Sequence, residues 1–240
     1  MAQKSKFLTV YWKNLIMANY EIDAYLLKDL TANNTEIDLH NSKCYVSLVG
    51  FMFLDTKVLG IPIPFHKNFE EVNLRFYVKH KSGNEWKRGV TFIKEIVPKF
   101  LIKFIANNLY SEKYESMPMR NELNISHIAI NTGYFWKASD EEYYIKASAD
   151  KESFMAESGS TEEFITEHYW GYTKVNNNST SEYEVEHPKW KLHKVNSYDI
   201  NCDFGKLYGK RFSFLNNAKP SSVFLAEGSE IIVRKGSKLS

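Results

Sequence analysis

The stretch from residue 69 to residue 78, FEEVNLRFYV, constrains this chain more than any other. Val72, Leu74, Phe76 and Val78 alternate with Glu71, Asn73, Arg75 and Tyr77. Successive strand side chains point to opposite faces, so one face is apolar and the other carries a carboxylate, an amide, a guanidinium and a phenol. Pro62 and Pro64 precede the strand; each extends the residue before it and withholds a ladder donor. Lys81-Ser82-Gly83-Asn84 then supplies a hairpin turn, and residues 89–97 (GVTFIKEIV) form the returning strand. The polar row is either a binding surface or an ordinary wet face.

Other segments repeat the strand pattern. Residues 44–54, CYVSLVGFMFL, are apolar at nearly every position, as expected of a central strand buried on both faces. Residues 36–40 alternate, and residues 55–68 read as an irregular, proline-stiffened loop. Further strands are expected at 121–130, 132–137 and 143–149. A hairpin joins 170–174 to 181–186, and the last strands fall at 192–198, 211–214, 223–225 and 229–234. Helices are fewer. Phe7, Val10, Tyr11, Leu15 and Ala18 recur at helical spacing and predict a helix over 6–19. A short helix is expected at 24–30, an amphipathic one at 99–107, and one running through FITEHYW (164–170) behind a Ser160 or Thr161 cap.

The 240 residues are expected to form one domain, 1–240, with 43% hydrophobic and 15% aromatic residues to fill a core. Lys plus Arg number 31 against 29 Asp plus Glu, a net charge of +2 that lacks the basic excess of a nucleic-acid binder. Cys44 and Cys202 are too sparse for a disulfide scaffold and read as buried thiols. No apolar run reaches membrane-spanning length and no signal-peptide core is visible, so a cytoplasmic protein without a membrane partner is expected. The seven histidines show no zinc spacing, and no phosphate loop, dinucleotide fingerprint or nucleophile elbow is present, so neither metal nor cofactor is expected.

Arg75 is the leading ligand-binding candidate, since a guanidinium grips a carboxylate or carbonyl oxygen in two-pronged fashion, with Glu71 positioning it or acting as acid or base. The competing reading is a salt bridge on a sheet face. Asn73 lies in the same row. Tyr77 reads as a rim residue. Tyr110, Tyr114, Trp170 and Trp190 either line a pocket or fill the core, and His168 and His187 either face the cavity or are structural. A small-molecule site is the first expectation; a non-catalytic interaction module, dimerising through an exposed edge or aromatic surface, is the alternative.

Residues 71–78, followed by Gly89-Val90-Thr91-Phe92, resemble a segment of the uncharacterised YqjF-like family. The segments 12–27, 45–53, 164–169 and 186–190 match its recurring stretches in order. The chain departs from it at Phe76, where the family usually has Thr, and at Pro188-Lys189-Trp190, where Pro and Trp are usually adjacent. The resemblance implies an acetoacetate decarboxylase-like fold: α+β, mostly antiparallel, a β cone or barrel with a few peripheral helices. In that enzyme a lysine forms a Schiff base with the substrate ketone, its pKa lowered by a neighbouring cation. The corresponding stretch here, Val97-Pro98-Lys99-Phe100, keeps only the first of the enzyme's paired lysines. A Schiff-base amine must fall from ~10.4 to near neutrality. Phe100 supplies no charge for that, and borohydride with acetoacetate or pyruvate is expected to trap no adduct at Lys99.

Overall fold

In the computed structural model, residues 4–98 and 113–239 are described. In chain order the strands are β1 (Lys6–Ile22), β2 (Glu36–Ile37), β3 (Cys44–Val58), β4 (Ile61–Pro62), β5 (Phe69–Ser82), β6 (Glu85–Val97), β7 (Tyr114–Ser116) and β8 (Met119–Ile125). There follow β9 (Ala129–Ala138), β10 (Glu141–Met155), β11 (Trp170–Asn176), β12 (Ser179–Glu186), β13 (Lys191–Asn201), β14 (Ser222–Ala226), β15 (Glu230–Arg234) and β16 (Ser237–Leu239). Short helices Thr161–Thr166 and Phe204–Tyr208 and two 3₁₀ segments lie between them.

The strands β1, β3, β5, β6, β11, β12 and β15 pair in that order, and β15 returns to β1, closing a ring. Every junction is antiparallel except β6 with β11. The ring tapers to a cone because β1 is shared: Lys6 to Tyr11 pair with β15, whereas Leu15 to Asn19 pair with β14. From β14 a second sheet continues through β13, β10 and β9 to β8. Gly228 makes the split possible. Its φ is +74°, and a Cβ there would lie 2.0 Å from the Trp12 carbonyl oxygen.

Two apolar clusters result. Val46, Leu48, Val72, Leu74 and Phe76 pack outward from the ring against Tyr134, Trp136 and Ile145 of the second sheet. Val49, Phe51, Phe53, Phe69, Val90 and Phe92 point into the ring with Tyr183, Val185, Trp190 and Val233. Both faces of β3 are therefore buried, as its unbroken apolar run requires. The free cysteines Cys44 and Cys202 are buried.

The expected helix over 6–19 is strand β1. Its register against β3 shifts twice, between Thr9 and Tyr11 and between Lys13 and Ile16, with Asn14 at φ +55°. The first shift puts its extra residue on β3 and the second puts one on β1, where it breaks the two-residue period and gives strand positions a helix-like spacing, and Leu15 to Tyr20 are buried on both faces. The expected strand over 211–214 is the 3₁₀ segment Lys210–Asn217, which buries Phe212 and Leu215 three residues apart. The expected 121–130 strand is a hairpin, its turn held by Ala129 N donating to Ser126 Oγ at 3.0 Å. The helix capped by Ser160 stops at Thr166 instead of continuing to Trp170, which opens β11. The loop expected over 55–68 is shorter than that, because β3 runs on to Val58 and β4 pairs back on it.

Candidate functional site

The polar row of β5 faces the inside of the ring, where Glu71, Asn73 and Arg75 are 2%, 1% and 7% exposed. Glu71 and Arg75 stand four positions apart on a strand rising ~3.3 Å per residue, so their Cα atoms are separated by about 13 Å. The salt bridge between them expected on a flat sheet face is not formed. Glu71 instead accepts from Asn73 Nδ2 at 2.9 Å and from the Tyr114 hydroxyl at 3.2 Å.

Strand β6 contributes a group that the sequence pattern conceals. Arg75 pairs with Phe92 and Leu74 with Lys94, leaving Ile93 as a bulge. Alternation from Val90 and Phe92 would otherwise bring Lys94 inward; the extra residue puts Glu95 there, opposite Asn73. Lys94 turns outward and pairs with Glu115 at 2.6 Å.

These groups border a cavity of about 120 Å³. Its apolar wall includes Trp12, Phe51, Phe53, Phe69, Phe92 and Val233, and its polar wall Thr56, Glu71, Asn73, Arg75, Glu95 and His168. Tyr114, Trp170, His187 and Trp190 line it as well, so for these aromatics core filling and cavity lining are one role. Trp190 is fixed by its indole N–H, which donates to Ser229 Oγ at 2.9 Å, and by stacking on His187 at 4.2 Å. Tyr77 differs from its expected rim position. It is buried behind the wall, its hydroxyl 2.6 Å from Ser47 Oγ and its ring against Phe164 and His168. Lys99 and Tyr110, and the helix expected at 99–107, lie outside the described residues.

Arg75 is the cationic centre of this wall. Its Nε is buried without a hydrogen-bond partner, and no carboxylate among the described residues forms a salt bridge with it. The guanidinium carbon stands 5.9 Å from the centroid of the Tyr77 ring.

His168 follows the helix Thr161–Thr166, and its Nε2 lies 3.2 Å from Asp38 Oδ2. Asp38 also accepts from Arg88 Nε at 2.7 Å. Burial would raise the Asp38 carboxyl, but the hydrogen bonds from His168 and Arg88 outweigh it and hold the pKa at about 2. Burial lowers His168 to about 4 against the opposing pull of Asp38, and the charges of Arg88 and Arg75 add to the lowering. Burial likewise brings His187 to about 4, opposed by its hydrogen bond to the Pro188 carbonyl. Both rings are neutral at pH 7. Burial of the Tyr114 hydroxyl, with the nearby Glu71 and Glu95 charges, keeps that phenol protonated. Asp38 went unread in the sequence; the alternation over residues 36–40 was its only local signal.

Residues 9–230 match the family DUF2071, described as "Uncharacterized conserved protein". The chain belongs to this family. Within DUF2071 it is 26% identical over 194 residues to the uncharacterized protein YqjF of Bacillus subtilis, spanning 75% of this chain and 73% of that one. The DUF2071 fold here is acetoacetate decarboxylase-like. Acetoacetate decarboxylase from Legionella pneumophila superposes with a TM-score of 0.65 at 10% identity, covering 100% of this chain and 90% of that one. An acetoacetate decarboxylase-like enzyme from Sphingomonas wittichii gives 0.67 at 9% identity, with 98% and 94% covered. The enduracididine biosynthesis enzyme MppR complexed with pyruvate gives 0.67 at 9% identity, with 100% and 92% covered. At such identities the likeness is one of fold.

Proposed function

We propose that the cavity is a binding site for a small anionic or carbonyl ligand anchored by Arg75. One observation carries this reading: a guanidinium 7% exposed, with an unpartnered Nε and no ion-pair partner among the described residues. Burying a charge without compensation is costly, and a ligand carboxylate supplies the missing partner through paired, charge-assisted hydrogen bonds. The volume of about 120 Å³ is of the order of the ~150 Å³ engineered cavity that holds benzene, which suits a molecule of a few heavy atoms. MppR, of similar fold, has been seen complexed with pyruvate, a molecule of this kind. Glu71 and Asn73 orient the ligand, and the aromatic wall covers its apolar part.

The test is a thermal-shift and calorimetric screen of short keto acids, hydroxy acids and aromatic acids against wild type and Arg75→Ala. A ligand at 100 times its Kd stabilises wild type by about 2.7 kcal/mol, and Arg75→Ala loses that stabilisation. A variant that kept it would remove Arg75 from the anchoring role. No binding across the panel would favour the interaction-module alternative.

A further inference from the structure

Among the polar atoms buried on the cavity wall without a partner are Asn73 Oδ1, Arg75 Nε and His168 Nδ1. What each offers a ligand follows from what its other end touches. Asn73 Nδ2 faces the Glu71 carboxylate at 2.9 Å, so its amide nitrogen is the end already used and the oxygen is left as an acceptor. His168 Nε2 faces Asp38 Oδ2 at 3.2 Å. A carboxylate bound by Arg88 only accepts, so the imidazole proton sits on Nε2 and Nδ1 is a bare lone pair. Thr56 Oγ1 and Glu95 Oε2 lie on the same wall; beside them, these three groups supply one cationic donor and two neutral acceptors.

The donor and the histidine acceptor flank one ring. Arg75 Cζ is 5.9 Å from the Tyr77 centroid and the His168 ring is 4.7 Å from it. A plain carboxylate or keto acid satisfies the guanidinium and leaves both acceptors desolvated and unpaired, because it carries no donor. The geometry points to a small hydroxycarboxylate as the ligand class, its carboxylate on Arg75 and its hydroxyl donating to His168 Nδ1, with Asn73 Oδ1 accepting from any second donor. Asp38 is the positioning residue that fixes the tautomer. This assignment rests on the reading of the cavity as an Arg75-anchored site.

Two pairs of acids with matched skeletons separate the possibilities: lactate against pyruvate, and 3-hydroxybutyrate against acetoacetate, with both enantiomers of each hydroxy acid, titrated calorimetrically at pH 7.5. Satisfying a buried acceptor is worth about tenfold or more in affinity, so one enantiomer of each hydroxy acid binds tighter than its keto partner by that factor. Keto acids binding equally or better would overturn the hydroxycarboxylate assignment while leaving Arg75 as anchor. No binding by any of the acids, or equal binding by Arg75→Ala, would overturn the underlying site as well. Nitrogen NMR of wild type labelled at histidine gives an independent reading, with His168 identified by the signal lost in His168→Phe. The free protein shows a protonated Nε2 and an unprotonated Nδ1, and the hydroxy acid alone moves the Nδ1 signal toward the hydrogen-bonded range. An Nδ1 signal unmoved by a bound hydroxy acid, or protonated in the free protein, would refute the assignment. Arg88 Nε and His168 Nε2 meet the same oxygen, Asp38 Oδ2, so Asp38→Ala removes the acceptor that fixes the Nε2 proton and the preference for the hydroxy acid falls; a folded variant with unchanged preference counts against the role given to Asp38.

Discussion

Asn73 donates through Nδ2 to Glu71 Oε1 at 2.9 Å, two positions along the same face of β5. The contact joins two residues of the alternation that first marked the strand, and it holds a carboxylate on the polar wall inside the ring. Asn73→Leu removes the donor and leaves Glu71 less compensated. The variant is expected to lose about 1–3 kcal/mol of stability, the penalty of a buried polar group deprived of a partner. Urea denaturation at pH 7 measures it, and an unchanged midpoint would show that the hydrogen bond does not hold the carboxylate in place.

Arg75 carries the opposite expectation. A buried cation without an ion-pair partner among the described residues is retained against stability, as is common where a site awaits a charged ligand. Arg75→Met keeps the apolar stem and removes the charge. It is expected to raise the unfolding free energy of the ligand-free protein by about 1–3 kcal/mol while abolishing stabilisation by small acids. A destabilised Arg75→Met would mean that the guanidinium is already satisfied.

His168 makes stability depend on pH in a defined window. Its pKa is about 4 in the folded protein against an ordinary value of 6.5, so between those values the unfolded chain binds the extra proton. Stability is fully present above pH 6.5 and is lost as pH falls toward 4, by on the order of 3 kcal/mol if His168 acts alone. His187 titrates in the same window with the same sign. Asp38, depressed from 3.8 to about 2, adds its own loss below pH 3.8. Denaturant titrations from pH 7.5 to 4 on wild type and His168→Phe check this: the variant has the shallower slope, and parallel curves would contradict a buried neutral His168.

Gly228 lets β1 serve two sheets. With φ at +74° and the Trp12 carbonyl 2.0 Å from where a Cβ would stand, Gly228→Ala forces the backbone of β1 or of the β14–β15 turn to move. A loss of at least 1–3 kcal/mol is expected from the strained conformation alone. Thermal unfolding that matched wild type would show that the turn relaxes freely.

Much of the architecture was legible. Alternation at Glu71 to Val78, the double-sided apolar run from Cys44, and Ser160 ahead of Glu162 and Glu163 each reflect a local rule acting over a few residues. The misreading of β1 as a helix has the same origin as the missed Glu95. In both strands a bulge inserts one residue, and each insertion flips the facing of everything after it. A bulge is specified by the partner strand, and the partners of β1 are β3, β14 and β15, the last two over 200 residues away along the chain.

By itself, then, the sequence determined that this is a mostly antiparallel β protein, which strand carries charge on one face, and the family to which it belongs. Those properties rest on spacing, turn chemistry and short motifs that survive without a partner. Only the tertiary structure decided that the charged face of β5 points into a closed ring rather than to water. It alone brought Arg75, Glu95 and His168 around one cavity, with Asp38 against His168, from four separate stretches of chain. The physical reason is that a strand's two faces are equivalent until neighbouring strands curve and close, and closure is a property of the whole ring.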